Sequence, residues 1–278
     1  MPQFEHDGIT INYEDVGDRE APAVVLLHGF TSDLRSWAPL FEELTGDYRA
    51  IAIDLRGHGL SSAPEDPAAY TIEALAGDVA ALLDHLDVDI CALVGSSFGG
   101  MVALQFAVTW PERLAGLVLS DTSAAFDHPD YDERYRQREA AIAEFAGTVD
   151  RFGPAEAGKR AARSVDDPFL AQGIRDRYAR MSRNGILGCA RARRERPNLL
   201  PVIGARLTIP VLICIGEEDP VRGACDVMAR ELPGARYLVF KDTGHSIPIQ
   251  QPGLFARELL RFFADIEDGQ PIAGRKTI

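Results

Sequence analysis

The 278-residue sequence has few cysteines, no long hydrophobic run and no excess of positive charge. Its four cysteines form no CxxC pair, and a chain of this length does not need disulfides for stability, so a disulfide framework is not expected. No stretch reaches the roughly 18 apolar residues that cross a bilayer. The first residues lack the apolar segment of a secretion signal. These absences predict a cytoplasmic protein.

Acidic residues outnumber basic ones, 42 against 29, which gives a formal net charge of −13 at pH 7. Such a surface repels nucleic-acid phosphates and anionic membranes, so we expect neither as a partner. The hydrophobic fraction of 46% is ordinary for a globular protein and argues against disorder. The expected partner is a small molecule, and the sequence leaves open whether the chain forms a homo-oligomer.

Short apolar runs alternate with helical segments along most of the chain. The runs are continuous, which is typical of parallel strands covered on both faces. They are AVVLL at 23–27, AIAI at 50–53, ICALV at 90–94, LAGLVL at 114–119, PVLICI at 210–215 and YLVF at 237–240. The segment ITINY at 9–13 alternates instead, which indicates an antiparallel edge hairpin. The predicted fold class is α/β, with a doubly wound, mostly parallel sheet.

The alternation stops between about residues 124 and 206. About 80 residues of helical pattern separate two strands there, far more than an ordinary connection holds. We predict a helical cap insertion at 124–206, with the α/β core divided into a first part at 1–123 and a second part at 207–278. The polar tail from residue 268 is expected to be frayed.

Residues 95–99 read GSSFG between a predicted strand and a predicted helix. A G-x-S-x-G sequence in that context is typical of a nucleophile elbow, with Ser97 at the tip of a strained turn. Gly95 and Gly99 remove side chains that would clash in the turn. The amide N–H of Phe98, at the start of the helix, would then point at a developing oxyanion.

A serine nucleophile needs a base and an acid. Of the six histidines, His245 alone combines a loop after a strand with a late position in the chain. Asp219 is the preferred acid because it follows a strand after the helical insertion and precedes that histidine. Asp121, which follows an earlier strand, is a second candidate, and Glu217 and Glu218 are near competitors.

Five motifs resemble those of the α/β-hydrolase superfamily. They are HGF at 28–30, DLRGHGLS at 54–61, GSSFG at 95–99, GEEDP at 216–220 and GH at 244–245. The resemblance covers nearly the whole chain and is strongest to the serine-nucleophile branch of esterases and enol-lactonases. It implies an oxyanion hole formed by the backbone N–H groups of Phe30 and Phe98. The DLRGHGLS stretch is usually a structural loop in such enzymes, so Asp54, Arg56 and His58 are interpreted as scaffold.

The resemblance implies a serine hydrolase that cleaves a small carboxylic ester or lactone through an acyl-enzyme intermediate. Ser97 argues against haloalkane dehalogenases and epoxide hydrolases, which carry an aspartate at the elbow. The alternatives are a carbon–carbon bond hydrolase of a vinylogous diketone, a cofactor-free perhydrolase and a non-catalytic ligand receptor on the same fold. Carbon–carbon hydrolases often have asparagine before the serine, where this chain has Ser96.

No motif for a metal or a nucleotide cofactor is present, so neither is expected. Trp37 lies near the predicted site in sequence and is interpreted either as a wall of the substrate pocket or as a core residue.

The predicted cap holds a local excess of arginine in an acidic protein. These arginines are Arg175, Arg177, Arg180, Arg183, Arg191, Arg193, Arg194 and Arg196. Solvated helix faces are the ordinary explanation for such residues. The alternative is that one guanidinium faces the cleft and binds a substrate carboxylate.

Overall fold

The computed structural model describes residues 1–163 and 165–278 in full and residue 164 by its backbone alone. Within this part of the chain, nine strands form one sheet. They are β1 (Gln3–His6), β2 (Ile9–Val16), β3 (Ala23–Leu27), β4 (Arg49–Ile53), β5 (Cys91–Ser96), β6 (Leu114–Ser120), β7 (Val211–Gly216), β8 (Arg236–Phe240) and β9 (Gly274–Thr277). Their order across the sheet is β1-β2-β4-β3-β5-β6-β7-β8-β9.

Pairing is parallel from β4 to β9 and antiparallel only at the β1–β2–β4 edge. The apolar runs seen in the sequence become strands that are buried along their whole length, as in β3 and β4. At the edge, Asp7 and Gly8 both adopt positive φ in the turn that joins β1 to β2. The predicted α/β fold class, with a mostly parallel sheet, is therefore confirmed.

Helices cover both faces of the sheet. They are α1 (Ala38–Leu44), α2 (Ile72–His85), α3 (Phe98–Thr109), α4 (Glu133–Phe152), α5 (Pro154–Ala161), α6 (Pro168–Ala179), α7 (Arg183–Glu195), α8 (Leu200–Arg206), α9 (Arg222–Glu231), α10 (Ile247–Gln250) and α11 (Pro252–Glu267). None of these helices is long and apolar enough to cross a membrane, within the residues described.

Alternate residues of each buried strand face opposite helical layers, as the pleat requires. In β3, Val24 and Leu26 pack with apolar residues of α1 and α11. Val25 and Leu27 pack on the other face with residues of α2, α3, α8 and α9. The two apolar layers hold the sheet rigid, so the loops at its carboxyl edge are fixed relative to one another.

Five helices, α4 to α8, connect β6 to β7. Helix α4 packs against α5 and α7, whereas α8 packs on α3 and α9 of the sheet layer. Helix α7 rests on the core at Gly185, where an added Cβ would collide with the carbonyl of Gly57. The segment is thus helical, and its extent as a separate cap at 124–206 remains a prediction.

The expectation of a frayed C-terminal tail is wrong. Residues of β9 pair in parallel with β8, and the Ile278 N–H donates to the Val239 carbonyl at 2.8 Å. Without β9, strand β8 would present a row of unpaired N–H and C=O groups at the sheet edge. The tail satisfies those groups, which a reading of its polar composition does not reveal.

The loop at 54–61 is held by buried polar contacts. The Asp54 carboxylate accepts from Asn12 Nδ2 at 2.8 Å and from the backbone N–H groups of Leu34 at 2.8 Å and Leu60 at 2.9 Å. Arg56 donates to both oxygens of Asp78 in α2, each at 2.6 Å. These contacts agree with a scaffold role for the loop.

Replacing Asp78 by alanine is expected to lower the free energy of unfolding by about 3–5 kcal/mol, because the buried guanidinium of Arg56 would lose its partner. Urea unfolding followed by circular dichroism measures this loss. Asp84→Ala is the matched control on the same helix, since Asp84 pairs with Arg113 at 2.9 Å but is 69% exposed. The control should cost at most about 1 kcal/mol. Equal losses in the two variants would contradict the interpretation.

Candidate active site

Ser97 sits on a sharp turn between β5 and α3, with φ 52° and ψ −109°. A Cβ on Gly95 would lie 2.5 Å from the Gly99 carbonyl oxygen, and a Cβ on Gly99 would collide with the carbonyl of Leu27 in β3. The turn can therefore form only with glycine at both positions. It lifts the Ser97 hydroxyl out of the sheet edge toward a pocket.

Three side chains far apart in sequence converge at this turn. His245, which follows β8, places Nε2 2.9 Å from Ser97 Oγ. Its Nδ1 lies 2.8 Å from Oδ2 of Asp219, which follows β7. Asp219 also accepts the backbone N–H of Val221 at 2.8 Å, which fixes the carboxylate. The structure thus joins Ser97, His245 and Asp219 in one hydrogen-bonded chain, the arrangement of an activated serine nucleophile.

Burial and nearby charges set the ionisation of this group. Burial raises the pKa of Asp219, but the hydrogen bond and charge of His245 outweigh it, so the pKa lies below its ordinary value. Burial lowers the pKa of His245 below 6.5, the Asp219 hydrogen bond opposes this, and the positive charge of Arg138 adds to it. At neutral pH an uncharged imidazole therefore faces an ionised carboxylate, as a general base requires.

Asp121, the second acid candidate, makes no hydrogen bond to His245 among the described residues. Its Oδ2 accepts from the Ile247 N–H at 2.9 Å and the Ser120 hydroxyl at 2.8 Å, while Oδ1 is buried without a partner. Burial and the neighbouring Asp219 carboxylate raise the pKa of Asp121 well above its ordinary value. Burial and the neighbouring carboxylate therefore disfavour the charged form of Asp121. Together, Asp121, Asp219 and His245 form a group whose ligand atoms lie within 4.8 Å, a spacing that could hold a metal.

The remaining acid candidates lie outside this group. Glu217 and Glu218 are exposed. Because His245 Nδ1 is bonded to Asp219, the geometry favours Asp219 over the other three acids.

The two backbone N–H groups expected to bind an oxyanion belong to Phe30 and Phe98. Neither has an intramolecular acceptor in the described part of the chain. Phe98 opens α3, where the first amides of a helix have no partner within it. The rings of Phe30 and Phe98 contact each other, with centroids 6.1 Å apart. Thr31, directly after Phe30, has φ 62°, a strained conformation of the kind found at functional sites.

A pocket of about 500 Å³ opens above Ser97. One side is apolar and includes Phe30, Ile142, Phe145 and Ile249. Trp37 both lines the pocket and packs on the core, because its indole is 2% exposed and lies 6.4 Å from the Phe255 ring. The two interpretations of Trp37 therefore describe one residue that separates the pocket from the core.

Arg138, in α4, is a site residue that the motifs do not reveal. Its Nη2 lies 2.9 Å from His245 Nε2 and 3.4 Å from Ser97 Oγ. A guanidinium can only donate, so Nε2 of His245 is the acceptor and Nδ1–H donates to Asp219. Of the arginines in the 175–196 stretch, Arg177 lines the same pocket.

A helical pattern could have found Arg138. It lies on the buried face of α4, in line with Tyr135, Ile142, Phe145 and Val149 at intervals of three and four residues. An arginine on the apolar face of an amphipathic helix is unusual, because charged residues are rarely buried without a partner. That irregularity is the sequence signal for an inward-facing cation.

The family model for the alpha/beta hydrolase fold matches residues 22–252. A Bacillus subtilis (strain 168) protein named "Putative 2-succinyl-6-hydroxy-2,4-cyclohexadiene-1-carboxylate synthase" is 30% identical over 267 residues, 94% of this chain and 97% of that protein. The enol-lactonase from Burkholderia xenovorans LB400 has a TM-score of 0.82 at 26% identity, covering 95% of this chain and 100% of that one. A malate-bound esterase from Thermogutta terrifontis has a TM-score of 0.79 at 30% identity, covering 95% and 97%.

These likenesses confirm the resemblance to esterases and enol-lactonases that the motifs predicted.

The rate at which a fluorophosphonate labels Ser97 should fall at acid pH, because a protonated His245 cannot accept the serine proton. Since the pKa of His245 lies below 6.5, half of the maximal rate should be reached below pH 6.5. Labelling rates are measured between about pH 4 and pH 9, a range that brackets the ordinary pKa of histidine. The pH of half-maximal rate is the midpoint. Circular dichroism over the same range checks that the protein stays folded. A midpoint above pH 6.5 would contradict the burial argument.

The two candidate acids can be separated with isosteric substitutions. Asp219→Asn should slow fluorophosphonate labelling by about 10⁴-fold, since an amide cannot hold the required imidazole tautomer. Asp121→Asn should slow it by less than about 10-fold, because Asp121 makes no hydrogen bond to His245 among the described residues and an amide oxygen can still accept from the Ile247 N–H. If Asp121→Asn is the more damaging variant, the assignment of the acid is reversed.

Proposed function

The chain belongs to the alpha/beta hydrolase family, and from this premise we propose that it is a serine hydrolase that cleaves a small carboxylic ester or lactone through an acyl-enzyme intermediate. One observation carries the proposal, the 2.9 Å contact between Ser97 Oγ and His245 Nε2. Asp219 supports that contact from the far side of the imidazole. We also propose that the enzyme needs no cofactor and that it acts in the cytoplasm.

The reaction begins when Ser97 Oγ attacks the acyl carbon and its proton passes to His245 Nε2. Asp219 stabilises the imidazolium that forms. The carbonyl oxygen becomes an oxyanion that accepts hydrogen bonds from the N–H groups of Phe30 and Phe98, and each such donor is worth about 3 kcal/mol. His245 then gives its proton to the departing alcohol oxygen, which leaves an acyl group on Ser97. Water activated by His245 hydrolyses this ester and restores the enzyme.

The pocket supports a small substrate. Its volume of about 500 Å³ lies in the range of small-molecule sites, and its apolar wall suits an acyl chain. The likeness to an enol-lactonase and to an esterase supports ester or lactone cleavage as the reaction class.

A second candidate is a carbon–carbon bond hydrolase of a vinylogous diketone that uses the same serine. The Bacillus subtilis relative, which matches nearly the whole chain, is named a synthase, so similarity over the whole chain extends to proteins that are not named esterases. Ester or lactone cleavage is the preferred proposal, because the likeness to an enol-lactonase and an esterase supports it and Ser96 stands where carbon–carbon hydrolases often have asparagine.

Ser97→Ala should lower turnover of p-nitrophenyl esters or lactones by about 10⁶-fold, the effect of removing the nucleophile from such a triad. Ser96→Ala is the matched control, because Ser96 is the adjacent buried hydroxyl and has no contact with His245 among the described residues. Mass spectrometry should find the fluorophosphonate adduct on residue 97 alone. Turnover near the wild-type rate in Ser97→Ala would refute the proposal. Faster turnover of ring-cleavage diketones than of every ester and lactone would favour the second candidate.

A further inference from the structure

The general base of the proposed site is engaged by a cation. Neutral imidazole Nε2 has one lone pair, and two donors lie 2.9 Å from it, Ser97 Oγ and Arg138 Nη2. The two groups compete for the same acceptor. A guanidinium at this distance also repels the imidazolium that must form when Ser97 gives up its proton. Arg138 in this position therefore opposes the reaction, and catalysis is favoured when it moves to another partner.

Arg138 has too little negative charge around it. It shares one oxygen of Glu139 with Arg193, at 3.1 Å and 2.7 Å. Arg196, behind them, is buried and, within the described residues, donates only to neutral oxygens, those of Ser123, Ala125, Tyr135 and Arg193. Arg138 and Arg193 thus share one carboxylate, Arg196 lies behind them without a carboxylate of its own among the described residues, and the other nearby anion, Asp219, is already bonded to His245. A cation removed from water is stable only with a partner of opposite charge, so this cluster has the capacity to hold a further anion.

The pocket itself presents the same imbalance. Arg138 and Arg177 both line it, and no aspartate or glutamate does so among the described residues. This is unusual in a chain with a net charge of −13. A local reversal of charge in a concave site next to a nucleophile indicates that the ligand is anionic.

We propose that the substrate carries a carboxylate, and that Arg138 binds this carboxylate and thereby releases His245 Nε2 to Ser97. The inference rests on the proposed function and names the substrate class, a half-ester of a dicarboxylic acid or a lactone that bears a carboxylate. The planar guanidinium matches a carboxylate with two parallel hydrogen bonds. Because Arg138 Nη2 lies 3.4 Å from Ser97 Oγ, the carboxylate is only a few carbon atoms from the acyl carbon.

The test compares monoethyl succinate, glutarate and adipate with ethyl esters in which an isopropyl group replaces the carboxylate. These pairs differ in charge and hardly in shape. For wild-type protein, kcat/KM for the best half-ester should exceed that of its neutral match by about 30-fold, the effect of hydrogen bonds to a charged group. In Arg138→Gln the ratio should fall to about one, with kcat/KM for the neutral ester rising because the cation that opposes formation of the imidazolium is gone.

Arg136→Gln is the matched control. It removes the same charge from the same helix, but Arg136 is exposed. Its ratio should stay at the wild-type value. Arg138→Lys, which keeps the charge without the planar fork, should give an intermediate ratio. Calorimetry of monoethyl adipate with Ser97→Ala protein, with and without Arg138→Gln, measures the anion contact without turnover and should find about 30-fold weaker binding in the double variant.

The outcomes separate the two proposals. The anion inference is overturned, and the proposed function stands, if turnover depends on Ser97 but the wild-type ratio is near one. The same conclusion follows if Arg138→Gln lowers kcat/KM equally for both ester types. Absence of Ser97-dependent turnover on every ester and lactone, together with Arg138-dependent binding of the half-ester, overturns the proposed function and retains the anion site. In the remaining outcome, the ratio of kcat/KM for the half-ester to that of its neutral match falls as far in Arg136→Gln as in Arg138→Gln. That result would assign the effect to the net charge of the protein and overturn the role of Arg138.

Discussion

The register of the parallel strands β5 to β8 determines where the three reactive side chains meet. Parallel strands end on the same side of a sheet, so the residues that follow them share one edge. Ser97, Asp219 and His245 each follow one of these strands. This is how Ser97 and His245, 148 positions apart, come within 2.9 Å. Because neighbouring residues of a strand face opposite sides, a slip of one residue in β5 or β8 would direct these loops differently and separate the nucleophile from its base.

Backbone strain collects at the same edge. Of the non-glycine residues with positive φ in the described chain, Thr31, Ser97, Asp121 and Ser246 all lie in loops around the site. Neighbouring strands hold the elbow in this conformation, since the Ser97 N–H donates to Ser120 O at 2.8 Å and Thr122 Oγ1 donates to Ser97 O at 2.7 Å. Strain of this kind persists only where the surroundings over-determine it. The sheet therefore supplies the rigidity that the reactive turn cannot supply for itself.

The sequence predicts what depends on local pattern. The strands, the elbow at Ser97 and the late histidine at 245 all carry short-range signals in apolar runs and glycines. Chain order favoured Asp219 over Asp121, but both follow strands, and only the folded geometry shows that Asp219 is the one paired with His245. Strand β9 was not predicted from the sequence, because its pairing with β8 rather than its composition makes it a strand. Arg138 was not predicted, because no motif marks the helical segment between β6 and β7 and its position depends on how α4 packs in the folded chain.

The charge of the whole protein and the charge of its pocket act at different ranges. At physiological ionic strength charges are screened over about 8 Å, so a net charge of −13 spread over the surface has little influence inside a cleft. Within the cleft, the guanidinium groups of Arg138 and Arg177 act at short range and outweigh that distant charge. The sheet and helix α4 therefore have different roles. In the proposed function the sheet edge provides the nucleophile, and helix α4 adds the charge that is proposed to select the substrate. A change elsewhere in α4 leaves the loops that carry Ser97 and His245 in place, whereas a change at Arg138 also alters the competition for His245 Nε2.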